Sequence, residues 1–383
     1  MKRIAPSAVP PDERLASIDI LRGLALFGVL AVNLVTEFRV SIFQQFLPAE
    51  APPLMSDRIV EAFVSFALEL KAFALFSLLF GVGLAIQFDR FSRRGRALYW
   101  LARRLAVLLL LGLIHLLLIW NGDILTEYAL AGFLVLPFLY APTWVLAVGI
   151  ASLLAFYVAM PLLHLPIPWP TAATLQLHVA EANRVYATGG VGETWRFGLR
   201  ELPLLAALHI YIFPRTVALF LLGAFVWRIG VLQHLGRYKR ELAIGAWAGI
   251  AVGAAFAAGG GAGARLATVI LALGYAATVM ALVQFSATGR VLNVFAAVGR
   301  MAFTNYVMQS LIFSLIFFGY GLGQFGRLGA ANTLALGVTV YMAQMLLSAW
   351  WLGRFRFGPL EWLWRTLMYG EVQPMVANTL RGA

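Results

Sequence analysis

The chain has 383 residues, of which 61% are hydrophobic and only 12% charged, with a formal net charge of +12. Its mean hydropathy is +0.84. So few charges exclude two soluble domains of this total length and define a polytopic membrane protein. The positive charge falls in clusters between apolar runs, the pattern of cytoplasmic loops rather than of a nucleic-acid footprint, so no nucleic acid is expected as a partner. The absence of cysteine removes disulfides, thiol chemistry and cysteine-based zinc sites, and no metal is expected.

In chain order, no apolar h-region with a cleavage site precedes the first span, so residues 1–16 read as a short cytoplasmic tail. The first span, about 17–36, carries Asp19 and Arg22 at i, i+3, where they can pair. Asn33 lies about 21 Å further along the helix axis, with Glu37 one turn beyond it. A charge at the bilayer centre costs on the order of 2.5–3.5 kcal/mol on insertion scales, so each of these groups is expected to face protein or a wet cavity. Residues 38–57 read as an outer loop with prolines at 48, 52 and 53. A long second stretch, about 60–88, has an interfacial start and holds Glu69 and Lys71. It leads to a basic cluster of Arg90, Arg93, Arg94, Arg96, Arg103 and Arg104, placed in the cytoplasm.

Further spans are expected at about 105–120, 124–140, 143–163, 203–227, 241–258, 266–285, 301–319 and 331–352. The one sizeable polar segment, 164–202, reads as an outer loop holding an amphipathic helix, LHVAEANRVYATGG. A flexible GGGAGAR joins the seventh and eighth spans, and residues 353–383 read as a basic, aromatic tail at the inner interface. The expected fold is therefore all-α: one transmembrane domain over 1–383, a bundle of about ten helices with both termini cytoplasmic. Basic residues fall in every second loop, which agrees with that count.

Several constellations could carry chemistry. His115 sits about 7 Å below Trp120 along its helix. Asp123 and Glu127 follow a tight Asn121-Gly122 turn at i, i+4, and in an antiparallel helix pair His115 and Glu127 lie at similar depth. A histidine beside a carboxylate is a general base held in one tautomer. Asp123 reads equally as the cap of the following helix. Lys71 either lines a cavity or snorkels. Arg215, after Pro214 inside a span, needs a partner such as Glu37 or Glu127, or an anionic ligand. Asn305 and Gln309 share a helix face and suit interhelical hydrogen bonding. Glu361 and Arg365 are spaced for an i, i+4 pair. No Walker-type loop, no H-E-x-x-H and no G-x-S-x-G is present.

The pattern Arg14-x4-Asp19-x2-Arg22-Gly23 with Val32-Asn33 resembles the first helix of the YeiB-like bacterial membrane proteins. GLIHLLLIWNGDILTEYAL, Lys71-x-Phe73-x2-Phe76-x3-Phe80-Gly81, Gly299–Gln309 and Gly358–Arg365 match that family's landmarks too, so the resemblance covers nearly the whole chain. More distantly, the first helix is similar to that of heparan-alpha-glucosaminide N-acetyltransferase and of the type-3 membrane acyltransferases. There an Arg is followed after ten residues by a functionally important His, where this chain has Asn33 after Arg22. Asn cannot act as a base but can orient a carbonyl or hydroxyl.

The resemblance implies a multi-pass protein of the bacterial inner membrane that moves an acyl group, most simply acetyl, from cytoplasmic acyl-CoA to an envelope glycan or lipid. His115, Asp123, Glu127 and Asn33 would form the reaction centre. Asp19, Arg22, Lys71 and Arg215 would bind substrate, and Arg93, Arg94 and Arg96 would hold the phosphates of the donor. Membrane lipids are expected partners, and a second copy of the chain is a candidate one. The alternative is a transporter of a small anionic or amphipathic solute that uses the same buried charges. The absence of sequence repeats and of broken-helix signatures weighs against that alternative.

Overall fold

The computed structural model describes residues 15–48, 54–163 and 165–376. Most of the tail expected at 1–16, the prolines at 52 and 53, His164 and the end of the 353–383 segment lie outside the described residues. Fifteen α-helices follow one another, and the described residues contain no strand. Helix α1 (Ala16–Asn33) runs on through a π-turn over Leu34–Phe38. Helix α2 (Met55–Phe63) runs on through another over Val64–Leu68, and α3 (Lys71–Ser92) begins after a break. Then come α4 (Ala97–Leu118), α5 (Leu125–Val135), α6 (Thr143–Ala159), α7 (Ala172–Thr188), α8 (Val191–Arg228), α9 (Lys239–Gly259) and α10 (Gly261–Leu282). The chain ends with α11 (Ser286–Leu292), α12 (Val294–Arg300), α13 (Ala302–Phe317), α14 (Ala330–Leu352) and α15 (Pro359–Tyr369).

Eight of these segments are long and apolar enough to cross a membrane, and α5 and α13 are shorter apolar helices at the other two expected positions. This is a multi-pass, all-helical membrane protein. Helix α5 is short because Pro137 cannot continue it and the chain turns through a 3-10 segment, Pro137–Tyr140. Only part of each long helix is buried by protein. Ala16–Phe38 is the most enclosed, whereas Leu235–Gly259 is almost wholly peripheral. The helix expected at 203–227 starts twelve residues earlier, at Val191. Its 38 residues span about 57 Å at the standard rise, well beyond a hydrocarbon core of about 30 Å. The extra turns carry Glu193, Arg196 and Arg200, which belong in water or the headgroup layer, and Glu201, which is buried against protein. Likewise GGGAGAR is a tight turn rather than a flexible linker: Gly260 and Gly261 turn, at φ +68° and +55°, and Arg265 is already helical.

Small residues set the helix crossings. Helix α3 packs on α8, and α1 packs on α12. A Cβ on Gly81 would lie 2.1 Å from the Phe220 carbonyl oxygen, and one on Gly223 would lie 2.2 Å from that of Leu78. The α3–α8 backbones therefore touch, which is how transmembrane helices gain packing where lipid offers no hydrophobic driving force. Polar side chains tie the remaining helices. Asn305 donates to Ser348 (2.9 Å) and Gln309 to Gln344 (2.8 Å), joining α13 to α14 as the i, i+4 spacing suggested. Asp57 on α2 accepts the Ala331 amide (2.9 Å), capping α14 from a distant part of the chain.

The ends of α3 and α8, the starts of α1 and α4, and α15 lie on one face, joined by contacts such as Trp227 to Asp89 (2.7 Å) and Trp364 to the Arg104 carbonyl (3.0 Å). Most basic clusters sit here, and we call it the basic face. On the far face, α7 packs against α8. There Glu201 accepts hydrogen bonds from Tyr186 (2.7 Å) and Asn121 (2.7 Å) and pairs with His178 (2.8 Å). Burial and the neighbouring Glu201 push the Tyr186 hydroxyl well above its ordinary range, which keeps it a donor.

Candidate functional site: two cavities back to back

The far-face cavity has a volume of about 530 Å³, within the usual range for small-molecule sites. The end of α1 contributes Asn33 and Glu37, and the start of α5 contributes Glu127 and Tyr128. Helix α8 contributes His209, Arg215 and Thr216, and α10 contributes Arg265. His209 Nδ1 is hydrogen-bonded to Glu127 Oε2, and Thr216 donates to Glu127 Oε1 (2.6 Å). Both oxygens of Glu127 are thus held, and the imidazole is fixed in orientation. The His209 side chain remains 32% exposed, so its ring can meet a ligand. Arg215 is buried, with its guanidinium 5.7 Å from the Tyr157 ring, and its Nε and Nη1 have no hydrogen-bond partner.

The break before α3 borders the same space. Leu70 adopts φ +61°, a left-handed conformation that costs an L-residue on the order of 1–2 kcal/mol, and both Glu69 and Leu70 line the cavity. Lys71, next in the chain, does not line it; its Nζ donates to the Ser65 carbonyl (2.9 Å) and satisfies the end of the π-turn. The π-turn at Leu34–Phe38 brings Glu37 to the cavity wall. Interrupted helices at such a place are the signature that the sequence did not reveal.

The basic-face cavity, about 340 Å³, is lined by Asp19, Arg22, Arg104, Arg300, Arg356, Arg365, Trp227 and Trp364, among others. Arg22 pairs with Asp19 at 2.8 Å, as their spacing suggested. The Arg104 guanidinium stacks 4.0 Å over Trp364, and its Nε has no hydrogen-bond partner. Glu361 closes one wall. It accepts from the amides of Phe303 (2.9 Å) and Thr304 (3.1 Å) and from the Thr304 hydroxyl (2.5 Å), so it caps α13 from α15. Burial holds its carboxyl above the usual carboxylate range, and those hydrogen bonds pull it part of the way back.

A raised folded-state pKa adds stability that is complete below the unfolded carboxyl value and is lost as pH rises through the folded one. The Glu361→Gln protein is therefore expected to lose part of the fall in melting temperature that the parent shows on raising pH through that window. Thermal scans of both proteins across pH check this, and parallel curves would contradict it.

Two residues, Ile124 and Tyr128, line both cavities and form the partition between them. The Tyr128 hydroxyl is tied to Ser77 Oγ (2.9 Å) and donates to the Phe73 carbonyl (3.1 Å). Its ring packs edge-on against Phe80 and Phe220.

His115 and Asp123 come together as expected, but away from either cavity. His115 Nδ1 meets Asp123 Oδ1 (2.9 Å), and Nε2 meets Ser310 Oγ (2.9 Å). Asp123 Oδ2 accepts the Thr126 amide (2.7 Å), so Asp123 is at once the cap of α5 and the partner of His115. The expected convergence of His115 and Glu127 is corrected: Glu127 turns to His209 and Thr216 on α8 instead. Of the two alternatives for Arg215, the pairing with Glu37 or Glu127 is not formed among the described residues. Asn33 and Arg215 line the far-face cavity, and Asp19 and Arg22 line the basic-face cavity. Arg93, Arg94 and Arg96 lie at the exposed α3–α4 turn and line neither. Sequence reasoning missed His209, whose signal was the His209-x6-Thr216 spacing that puts both on one helical face. It also missed Arg104 as a cavity residue within the basic run.

Fold and cavities together define a polytopic helical membrane protein with two cavities, each carrying charged side chains, that meet at Ile124 and Tyr128. Residues 226–371 match the family described as "Protein of unknown function (DUF418)". The chain is 33% identical over 404 residues to "Uncharacterized protein YxaH" of Bacillus subtilis (strain 168), covering 96% of this chain and 97% of that one. It is 29% identical over 395 residues to "Uncharacterized protein YeiB" of Escherichia coli (strain K12), covering 96% and 100%. It is 30% identical over 371 residues to an "Uncharacterized 39.9 kDa protein in amylase 3'region" of Bacillus acidopullulyticus, covering 95% and 96%. The chain belongs to this bacterial YeiB-like family of membrane proteins. No solved structure matches it.

Proposed function

We propose that the protein is an acyltransferase of the bacterial inner membrane, with the basic face in the cytoplasm. In this reading an acyl-CoA, most simply acetyl-CoA, donates to an envelope glycan or lipid acceptor on the far face. The observation that supports it is the pair of opposed cavities meeting at Ile124 and Tyr128. Phosphate-bearing donors suit the basic-face cavity, where Arg22, Arg104, Arg300, Arg356 and Arg365 gather with Trp227 and Trp364. Arg93, Arg94 and Arg96 form the rim that gathers donor from solution. On the far side, His209 is the base, with its Nε2 turned to the acceptor and its Nδ1 proton held by Glu127. The acceptor hydroxyl or amine attacks the thioester carbonyl that reaches across the partition. The new C–O or C–N bond forms, the C–S bond breaks, His209 takes the acceptor proton, and CoA leaves as its thiol after protonation from solvent. Asn33, in the same cavity, orients the acyl carbonyl. His115, held between Asp123 and Ser310, positions α4, α5 and α13 and does not meet substrate.

Release of free CoA from acetyl-CoA by detergent-purified protein tests this, because hydrolysis is the reaction left to an acyltransferase without acceptor. Turnover above that of a Glu127→Gln variant supports the reading, and none at millimolar donor overturns it. A second reading, transport of an anionic solute, draws on the broken helix at Leu70 and on the unpartnered Arg215. It predicts solute uptake into proteoliposomes with no CoA released.

A further inference from the structure

Arg215 is 1% exposed, yet two of its guanidinium nitrogens have no hydrogen-bond partner. Buried charges are normally paired, yet neither Glu37 nor Glu127, which line the same cavity, pairs with it. Glu127 is already committed to His209 and Thr216, and no ion pair joins Glu37 to Arg215 among the described residues. A second guanidinium lines the same wall. Arg265 donates to the Tyr157 carbonyl (3.1 Å) and stacks on the Tyr157 ring from 5.5 Å, while Arg215 faces that ring from 5.7 Å. Two cations thus flank one aromatic ring at the edge of a chamber whose other walls include the apolar side chains Phe46, Trp169, Leu205, Leu208 and Ile212. A guanidinium with free in-plane donors matches the oxygens of a phosphate or carboxylate. The apolar wall beside it matches hydrocarbon.

We infer that the far-face cavity binds an amphiphile through an oxyanionic head group, held by Arg215 and Arg265 with its hydrocarbon along the α8 side of the chamber. Within the acyltransferase reading, on which this assignment of the acceptor rests, it narrows the acceptor from any envelope glycan or lipid to an anionic lipid-like molecule. The head group sits beside His209, so the hydroxyl or amine to be acylated lies within or next to the anionic head.

The test is calorimetric titration of the full-length protein in an uncharged maltoside detergent, without acyl donor. The probes are dioctanoyl phosphatidic acid, dioctanoylglycerol and inorganic phosphate. Saturable binding of the phosphatidic acid is expected, at least tenfold weaker in Arg215→Gln and in Arg265→Gln, with no saturable binding of dioctanoylglycerol. Equal binding of dioctanoylglycerol, or unchanged affinity in both variants, would overturn the oxyanion site. Equal affinity for inorganic phosphate would overturn the amphiphile and leave a free oxyanion as the ligand.

Folding of the variant is itself informative. Removing an unpartnered buried charge should leave the ligand-free melting temperature of Arg215→Gln at or above that of the parent. A marked fall would show that Arg215 is structural and would overturn the inference. Because no donor is present, phosphatidic acid binding by a protein that releases no CoA would defeat the enzyme reading and leave this one standing.

Discussion

Replacing His209 with Ala is expected to lower CoA release from acetyl-CoA by about 10²–10⁴-fold, the usual worth of a positioned general base, while donor binding stays unchanged. The reason is geometric. His209 is the histidine that lines the far-face cavity, and Glu127 holds it in one orientation. The basic-face cavity proposed for the donor lies across the Ile124–Tyr128 partition, and His209 does not line it. His115→Ala should behave differently. It leaves Asp123 and Ser310 with unmet hydrogen bonds in the core, at about 1–3 kcal/mol for each unsatisfied group, so its main effect is a lower melting temperature. Turnover per folded molecule should fall far less than in His209→Ala. The opposite pattern, with His115 essential to turnover and His209 dispensable, would move the chemistry to the Asp123–His115–Ser310 chain.

The largest effect on folding is expected where α3 crosses α8. Gly81→Val places a branched side chain where even a Cβ meets the Phe220 backbone at 2.1 Å, and Gly223→Ala does the same against Leu78 at 2.2 Å. Neither neighbour can rotate away, because backbone is what is struck. Overpacking ordinarily costs about 1–3 kcal/mol, and a backbone collision lies at or above the top of that range. Gly83 is two residues from Gly81 on the same helix and has nothing within 4 Å of its Cβ position. Gly83→Ala should therefore be neutral or raise stability by up to about 1 kcal/mol through helix propensity. Melting temperatures of the three proteins in detergent check the contrast. A Gly81→Val protein as stable as the parent would mean that the α3–α8 crossing is looser than it stands here. The same collision would deform the walls of both cavities, since Phe76, Phe80 and Gly83 border one and Phe73 and Ser77 the other.

Much of this architecture was legible in the residues. Apolar runs and basic loops located the ten hydrophobic segments, because hydrocarbon and surface charge act on composition one span at a time. The Asp19–Arg22 pair and the Asn305/Gln309 contacts were legible as well, since helical spacing alone fixes which side chains share a face. The partners across helices were not. Glu127 lies four residues from Asp123 and was read with His115, yet its depth and rotation in the bundle turn it to His209, 82 residues further along. Nothing local in AALHIYIFPR distinguishes a cavity histidine from a core one until Thr216 is seen to share its face. The Arg93, Arg94 and Arg96 cluster drew attention by its density, whereas the cavity cation of that run is the half-buried Arg104, stacked on Trp364 from the other end of the chain. The break at Leu70 had no Gly or Pro to announce it; tertiary packing holds a leucine at φ +61° there.

The most direct test of the two-chamber reading is calorimetric titration of acetyl-CoA into the detergent-purified protein, run beside Arg104→Gln and a triple Arg93→Ala, Arg94→Ala, Arg96→Ala variant. Saturable binding that Arg104→Gln weakens at least tenfold, and the triple variant by only a few-fold and less so at high salt, is the expected result, because buried contacts escape the screening that silences surface charge. Binding abolished by the triple variant and untouched by Arg104→Gln would place the donor on the exposed loop and contradict the basic-face cavity as its site.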